Sequence, residues 1–226
     1  MRNATNENQG LAIKTLDESA AYLRDVLTIQ PDNPILWQRL ATLYLYQNVQ
    51  IANEIVQDPR AEEAINKAIE LAPKREEGYL ALSQMRALRG DLSGAENILL
   101  QVINDFPTDT SARMQLVTIY RLQNRLEEAA DMANEAIGLG YSFGSYGEIN
   151  WLVNYYAENK QYDQAIALQR QAEKIEPNNI QVFIDLAKLY MVAGKFEEAE
   201  NLLKGVINFD PTKKAEIQAL IDMLPK

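Results

Sequence analysis

The chain has 226 residues, 47% hydrophobic and 24% charged, a composition that folds rather than staying disordered. Its 22 basic and 32 acidic residues leave a formal charge of −10, which repels phosphate backbones and anionic lipid and argues against nucleic acid or a membrane face as the main partner. Cysteine and histidine are both absent, so there is no disulfide framework or thiolate nucleophile, and the commonest metal ligand and neutral-pH general base are missing.

The opening residues, "MRNATNENQG", are polar and lack the apolar core of a signal peptide, and no stretch reaches the ~18 apolar residues of a membrane helix. Residues 1–15 are expected as a polar tail or remnant helix. "LDESAAYLRDVLTIQP", 16–31, predicts one helix closed by Pro31. From there the chain repeats. Pro73 and Pro107 are 34 residues apart, as are Pro177 and Pro211, while Ala61, Ala95, Ala129, Ala165 and Ala199 are spaced 34, 34, 36 and 34. Tyr120, Tyr156 and Tyr190 keep the same ruler and share its two-residue insertion.

Each period predicts helix–turn–helix. In the last copy Phe183, Leu186, Ala187 and Tyr190 fall on one helical face, Gly194 closes that helix in the left-handed conformation, and Glu197 and Glu198 open the next at its positive end. Gly90, Asn124 and Asn48 are expected to play the part of Gly194. The small residue at the start of each second helix lets the two helices approach closely. These boundaries give repeats at 34–75, 76–109, 110–145, 146–179 and 180–213, a half repeat at 16–33, and a capping helix at 214–226.

Trp37, Leu40, Ala41, Tyr44, Ala61, Ala68 and Pro73, with their later copies, resemble the tetratricopeptide-repeat (TPR) consensus over about 34–213. The resemblance implies an all-α fold, an α-solenoid whose helix pairs stack into a right-handed superhelix. Four departures stand out. The first repeat carries eight extra residues within 47–60, expected to lengthen its first helix or turn; Arg113 replaces an aromatic residue, Gln169 an apolar one, and Tyr141 a proline beside the insertion. The half repeat suggests a piece of a longer protein.

Little points to catalysis. The carboxylates cluster at second-helix starts, where dipole complementarity and solubility account for them. The loop "GLGYSFGSYGE", 138–148, has four glycines but no GK[ST] and no preceding strand, so it reads as a widened inter-repeat turn, not a nucleotide site. "NAT" at 3–5 carries no weight as a glycosylation sequon, and the Asp-rich turns lack a calcium-loop ladder. No catalytic residue, metal site or cofactor is expected.

The resemblance places the binding surface on the concave face lined by first helices. The candidates there are Arg39, Gln84, Met114, Gln115, Thr118, Arg121, Asn150, Trp151, Asn154, Gln181, Asp185 and Lys188, with Ile184 beside them. Asn150 and Asn154, four apart, can each donate to and accept from a peptide backbone, and Trp151 offers an apolar anchor, with packing between helices as its other use. The Lys/Asn, Asn, Lys/Arg series of carboxylate-clamp repeats is missing from every run of repeats, which argues against a chaperone-tail adaptor.

The expected function is a non-catalytic scaffold that binds an extended peptide or helix, its partner a protein or peptide of modest charge. An array of this kind can also self-associate through its ends. A different reading, a soluble C-terminal tail of a bacterial membrane enzyme of the O-antigen polymerase or ligase type, rests on the "W.RLA.LY" entry and the enlarged repeat. The compartment would be cytoplasmic by default and periplasmic for such a tail.

Overall fold

The computed structural model describes residues 2–51 and 59–225. Helices account for most of them, and no strand occurs among the described residues. Two compact units divide the chain, one up to Gly140 and the other from Tyr141, so that the boundary falls at the two-residue insertion.

The first unit holds α1 (Arg2–Ile29), α2 (Pro34–Ile51), α3 (Pro59–Leu71), α4 (Glu76–Leu88), α5 (Leu92–Asp105), α6 (Thr110–Leu122) and α7 (Leu126–Gly138). Here α2 pairs with α3, α4 with α5 and α6 with α7; α1 packs on α2, and α2, α4 and α6 also touch in sequence. The second unit holds α8 (Tyr146–Glu158), α9 (Tyr162–Ile175), α10 (Ile180–Val192), α11 (Phe196–Phe209) and, after a single 3₁₀ turn at Pro211–Lys213, α12 (Lys214–Asp222). In it α8 pairs with α9 and α10 with α11, α9 meets α10, and α12 covers α11.

The pairs form because every helix has one apolar stripe and must bury it. The alanine ruler sits at the closest approach: Ala95, Ala129, Ala165 and Ala199 are fully buried and Ala61 is 1% exposed. One turn further along each second helix, Ile65, Leu99 and Leu203 are fully buried. Tyr44, Tyr120, Tyr156 and Tyr190, near the ends of first helices, are buried as well.

The turns repeat too. Gly90, Asn124 and Gly194 have φ of 80°, 59° and 74°, and Lys160 takes the same left-handed place with φ of 59°. In each turn the next residue donates its N–H across the helix end: Asp91 to Arg86, Arg125 to Tyr120, Gln161 to Tyr156 and Lys195 to Tyr190, at 2.8–3.0 Å. Asn48 does not join this set. It lies inside α2, whose 18 residues exceed the 13 of α4, α6, α8 and α10, so part of the eight-residue excess extends the helix. The rest of that excess, 52–58, lies outside the described residues. The stretch 2–15 continues into 16–29 as the single helix α1.

Arg113 replaces an aromatic residue without losing its task. Trp37 Nε1 donates to the Pro31 carbonyl (2.7 Å) and the Tyr79 hydroxyl to the Pro73 carbonyl (3.2 Å), each pinning a first helix to the turn before it. Arg113 Nη1 donates to the Asp109 carbonyl (2.7 Å) and its Nε to Glu135 (3.3 Å) while the side chain stays buried. Gln169 is likewise buried in an apolar stripe, its Nε2 donating to the Val182 carbonyl (2.9 Å) and so tying α9 to α10; its Oε1 has no partner among the described residues.

Leu99→Ala should cost about 2–5 kcal/mol, because it empties a fully buried site, whereas its exposed neighbour Leu100→Ala should stay within about 0.5 kcal/mol. Urea unfolding of the two variants makes the comparison; equal losses would contradict the burial pattern.

Candidate functional site

In the first unit the candidates fall on three first helices that lie side by side, Arg39 on α2, Gln84 on α4, and Met114, Gln115, Thr118 and Arg121 on α6. Arg39, Gln84, Thr118 and Arg121 are exposed, Met114 and Gln115 half-buried. The Thr118 hydroxyl donates back to the Met114 carbonyl (3.2 Å), as the Thr42 hydroxyl does to Gln38 (3.0 Å). These threonine donors therefore serve their own helices.

The second unit brings its candidates into a connected arrangement. The backbone N–H of Tyr146, at the start of α8, donates to Glu176 Oε1 (2.7 Å), and its hydroxyl crosses to α10, donating to Asp185 Oδ2 (2.7 Å). Asp185 Oδ1 accepts from Gln181 Nε2 (2.9 Å) and from Lys188 Nζ (3.0 Å), one turn behind and one turn ahead. Asn150 and Asn154 follow Tyr146 at four-residue steps along α8; Asn154 is exposed, Asn150 and Trp151 half-buried. Val192 follows Lys188 by four on α10 and is 59% exposed. Tyr146, Gln181, Asp185 and Lys188 are thus a polar cluster that one side-chain hydrogen bond carries from α8 to α10, and Val192 is an exposed apolar residue one turn beyond Lys188.

Ile184, expected on this surface, is 2% exposed and belongs to the core shared by α10, α11 and α12. It is buried because Leu203 and Val206 of α11 and Ile217 of α12 pack in the same cluster. Tyr146 is the residue that sequence reasoning missed. Its hydroxyl matters only through a partner 39 residues away.

Electrostatics follow from the geometry. Burial, and then the hydrogen bond given to Asp185, push the Tyr146 hydroxyl up to about 12. Burial opposes ionisation of Asp185, yet the hydrogen bonds from Gln181, Tyr146 and Lys188 outweigh it and hold the carboxyl below the ordinary carboxylate range. Glu176 is also held low, by hydrogen bonds from the Asn179 side chain and the Tyr146 backbone. Among the described residues no group of three or more His, Cys, Asp or Glu is placed to hold a metal ion, and no helix is long and apolar enough to cross a membrane.

A chain of successive helix pairs with alanine-sealed contacts and a polar strip on its first helices is an α-helical repeat protein. Residues 156–224 match the tetratricopeptide repeat family model, and helix pairs of the same kind recur in both units. Over 109 residues the chain is 27% identical to anaphase-promoting complex subunit 3 of Dictyostelium discoideum, covering 48% of this chain and 11% of that protein. The chain spans about a tenth of the length of the curated relatives it matches. Among solved structures it is similar to PilF of Pseudomonas aeruginosa (TM-score 0.64, 15% identity, 96% of each chain) and to YrrB, described as a TPR protein with an unusual peptide-binding site (TM-score 0.57, 15% identity, 88% of this chain and 98% of that one). At these identities the likeness shows the fold alone.

Tyr146→Phe should raise the Asp185 midpoint toward the ordinary range, since it removes a donor to the ionised form. With its folded value below the unfolded ~3.9, Asp185 stabilises the fold above that value and loses the contribution as pH falls through the folded midpoint. The variant should therefore show a smaller Asp185-linked loss in acid. Carbon-detected NMR titration of the Asp185 carboxyl reads the midpoint, and an unmoved one would refute the hydrogen bond's role.

Proposed function

We propose that the α8–α10 strip of the second unit holds an extended peptide and that the protein works as a non-catalytic scaffold through it. The observation that carries this reading is the Asp185 carboxylate, fixed by three donors from two helices before any partner arrives. A polar surface ordered in advance avoids much of the cost of immobilising side chains on binding.

The chemistry of the strip suits a peptide main chain. Asn150 and Asn154, one turn apart, each carry a donor and an acceptor, the combination that pairs with successive backbone C=O and N–H groups of an extended segment. The half-exposed face of Trp151 and the exposed Val192 give apolar contacts near the two ends of that run. Lys188 and Asp185 already neutralise one another, so the partner needs no strong charge at this point. Peptide binding by a protein of the same fold, YrrB, is a precedent for this use of a helical-repeat surface.

A peptide library displayed on phage and selected against the full chain tests the site. Selected peptides should bind the Asn154→Ala/Lys188→Ala double variant at least tenfold more weakly, with its helicity and thermal midpoint close to those of the parent, because both side chains are exposed. Trp151→Ala should add a further loss. Peptides that bind parent and double variant alike would remove the strip as the binding site.

A further inference from the structure

The first helix of each pair also seals its second helix. In the pairs α2/α3, α4/α5, α6/α7, α8/α9 and α10/α11, the small residue near the start of the second helix (Ala61, Ala95, Ala129, Ala165, Ala199) is at most 1% exposed, and the residue one turn on (Ile65, Leu99, Ala133, Gln169, Leu203) is fully buried. In the first unit α1 stands where a second helix would stand ahead of α2. Arg24 Nη1 donates to the Tyr44 hydroxyl (3.3 Å), just as Arg170 of α9 donates to the Tyr190 hydroxyl of α10, with twenty residues between the partners in both cases. Pro31 follows α1 as Pro73 follows α3.

On this alignment Ser19 and Leu23 occupy the two sealed positions, and both are half-exposed. Tyr22 between them is 68% exposed. Among the described residues no helix folds back over them, because α1 runs unbroken from Arg2 through the place where the other second helices begin after a turn. Across the gap, Leu43 of α2 is half-buried although its counterpart Met85 on α4 is 2% exposed. What remains is a groove of about 780 Å³, walled by Ser19, Tyr22 and Leu23 on α1 and by Gln38, Arg39 and Leu43 on α2.

We propose that this groove is the seat of one helix supplied by a partner polypeptide, lying on α1 as α2 lies on α3. Five equivalent seats among the described residues, each filled by a first-type helix, define the occupant's chemistry. It is an amphipathic helix of about three to four turns whose apolar residues recur at i, i+3, i+4 and i+7, with a small residue against Ser19 and larger ones against Leu23 and Leu43. A second copy of the chain has no such helix to give, since every first-type helix among the described residues is already packed on its own second helix, and α12 on α11. The groove lies in the first unit, apart from the α8–α10 strip.

One of the chain's own first-type helices, α4, supplies the probe: a peptide of residues 76–89, stapled on its polar face because an isolated helix of this length is marginal in water. The chain has no cysteine, so Leu23→Cys introduces a single thiol. Saturating peptide should slow maleimide reaction of that thiol at least tenfold. Tyr22→Asp, at an exposed position that leaves the fold intact, should weaken peptide binding at least tenfold, while the Asn154→Ala/Lys188→Ala variant binds the probe like the parent. Failure to bind at millimolar peptide, or equal binding by Tyr22→Asp, would overturn the seat. Protection that grows with protein concentration in the absence of peptide, with a doubled mass in light scattering, would assign the groove to a second copy and overturn the partner.

Discussion

The close approach of two helices at a single alanine is the constraint on which the other regularities rest. A methyl group at Ala95, Ala165 or Ala199 leaves no room for water and brings the second helix close enough for the next turn, Leu99 or Leu203, to be enclosed completely. Once the axes are fixed there, the tyrosine at the end of the first helix must lie across the pair, and its ring can receive a guanidinium, as Tyr44 does from Arg60 and Tyr120 from Arg125. The turn must then reverse the chain within a few residues, which is why a left-handed residue and a hydrogen bond across the helix end recur together. Ion pairs such as Arg89–Glu62, Arg125–Glu96 and Lys195–Asp163 join neighbouring repeats around this frame, and being partly exposed they are worth only about 0–1 kcal/mol each.

These features were legible because packing demands the same residue type at the same place in every copy. Ala61 through Ala199, the tyrosines and the prolines could be read with a ruler. The turns were legible in part. Gly90 and Gly194 announce a left-handed residue by chemistry, but Lys160 takes the same conformation because the turn's hydrogen bonds impose it, at a cost of about 1–2 kcal/mol that the surrounding contacts absorb. Asn48 shows the converse: a residue suited to the turn stays helical where α2 runs on to Ile51.

The polar cluster of α8 and α10 was legible as positions and illegible as a network. Asp185, Gln181 and Lys188 are three or four residues apart on one helix, a spacing that can be read directly. Tyr146 cannot be read that way, because its hydroxyl serves Asp185 only once the fold brings the start of α8 to α10. Ile184 failed for a related reason: it is buried only once α11 and α12 bring Leu203, Val206 and Ile217 into one cluster with it. Arg113 and Gln169 break the apolar pattern and yet remain buried, since each finds a backbone carbonyl, Asp109 and Val182, to satisfy a donor.

A helical repeat cannot bury both faces of its last helices without help, and the two ends of this chain meet that requirement differently. At the C-terminal end nine residues suffice. Ile217 of α12 is fully buried against Ile184, Leu203 and Val206, and the stripe of the last pair is closed. On α1 no such cover exists among the described residues, although Ala20 and Leu27, on the face that Leu23 shares, are buried in the core with α2 and α3. The apolar and aromatic groups left open there, Leu23 and Tyr22, would each gain from leaving water, at roughly 25 cal/mol for every Å² covered. A fold that closes one end with its own short helix and leaves a helix-wide groove beside α1 therefore has its free energy arranged to favour an incoming helix there.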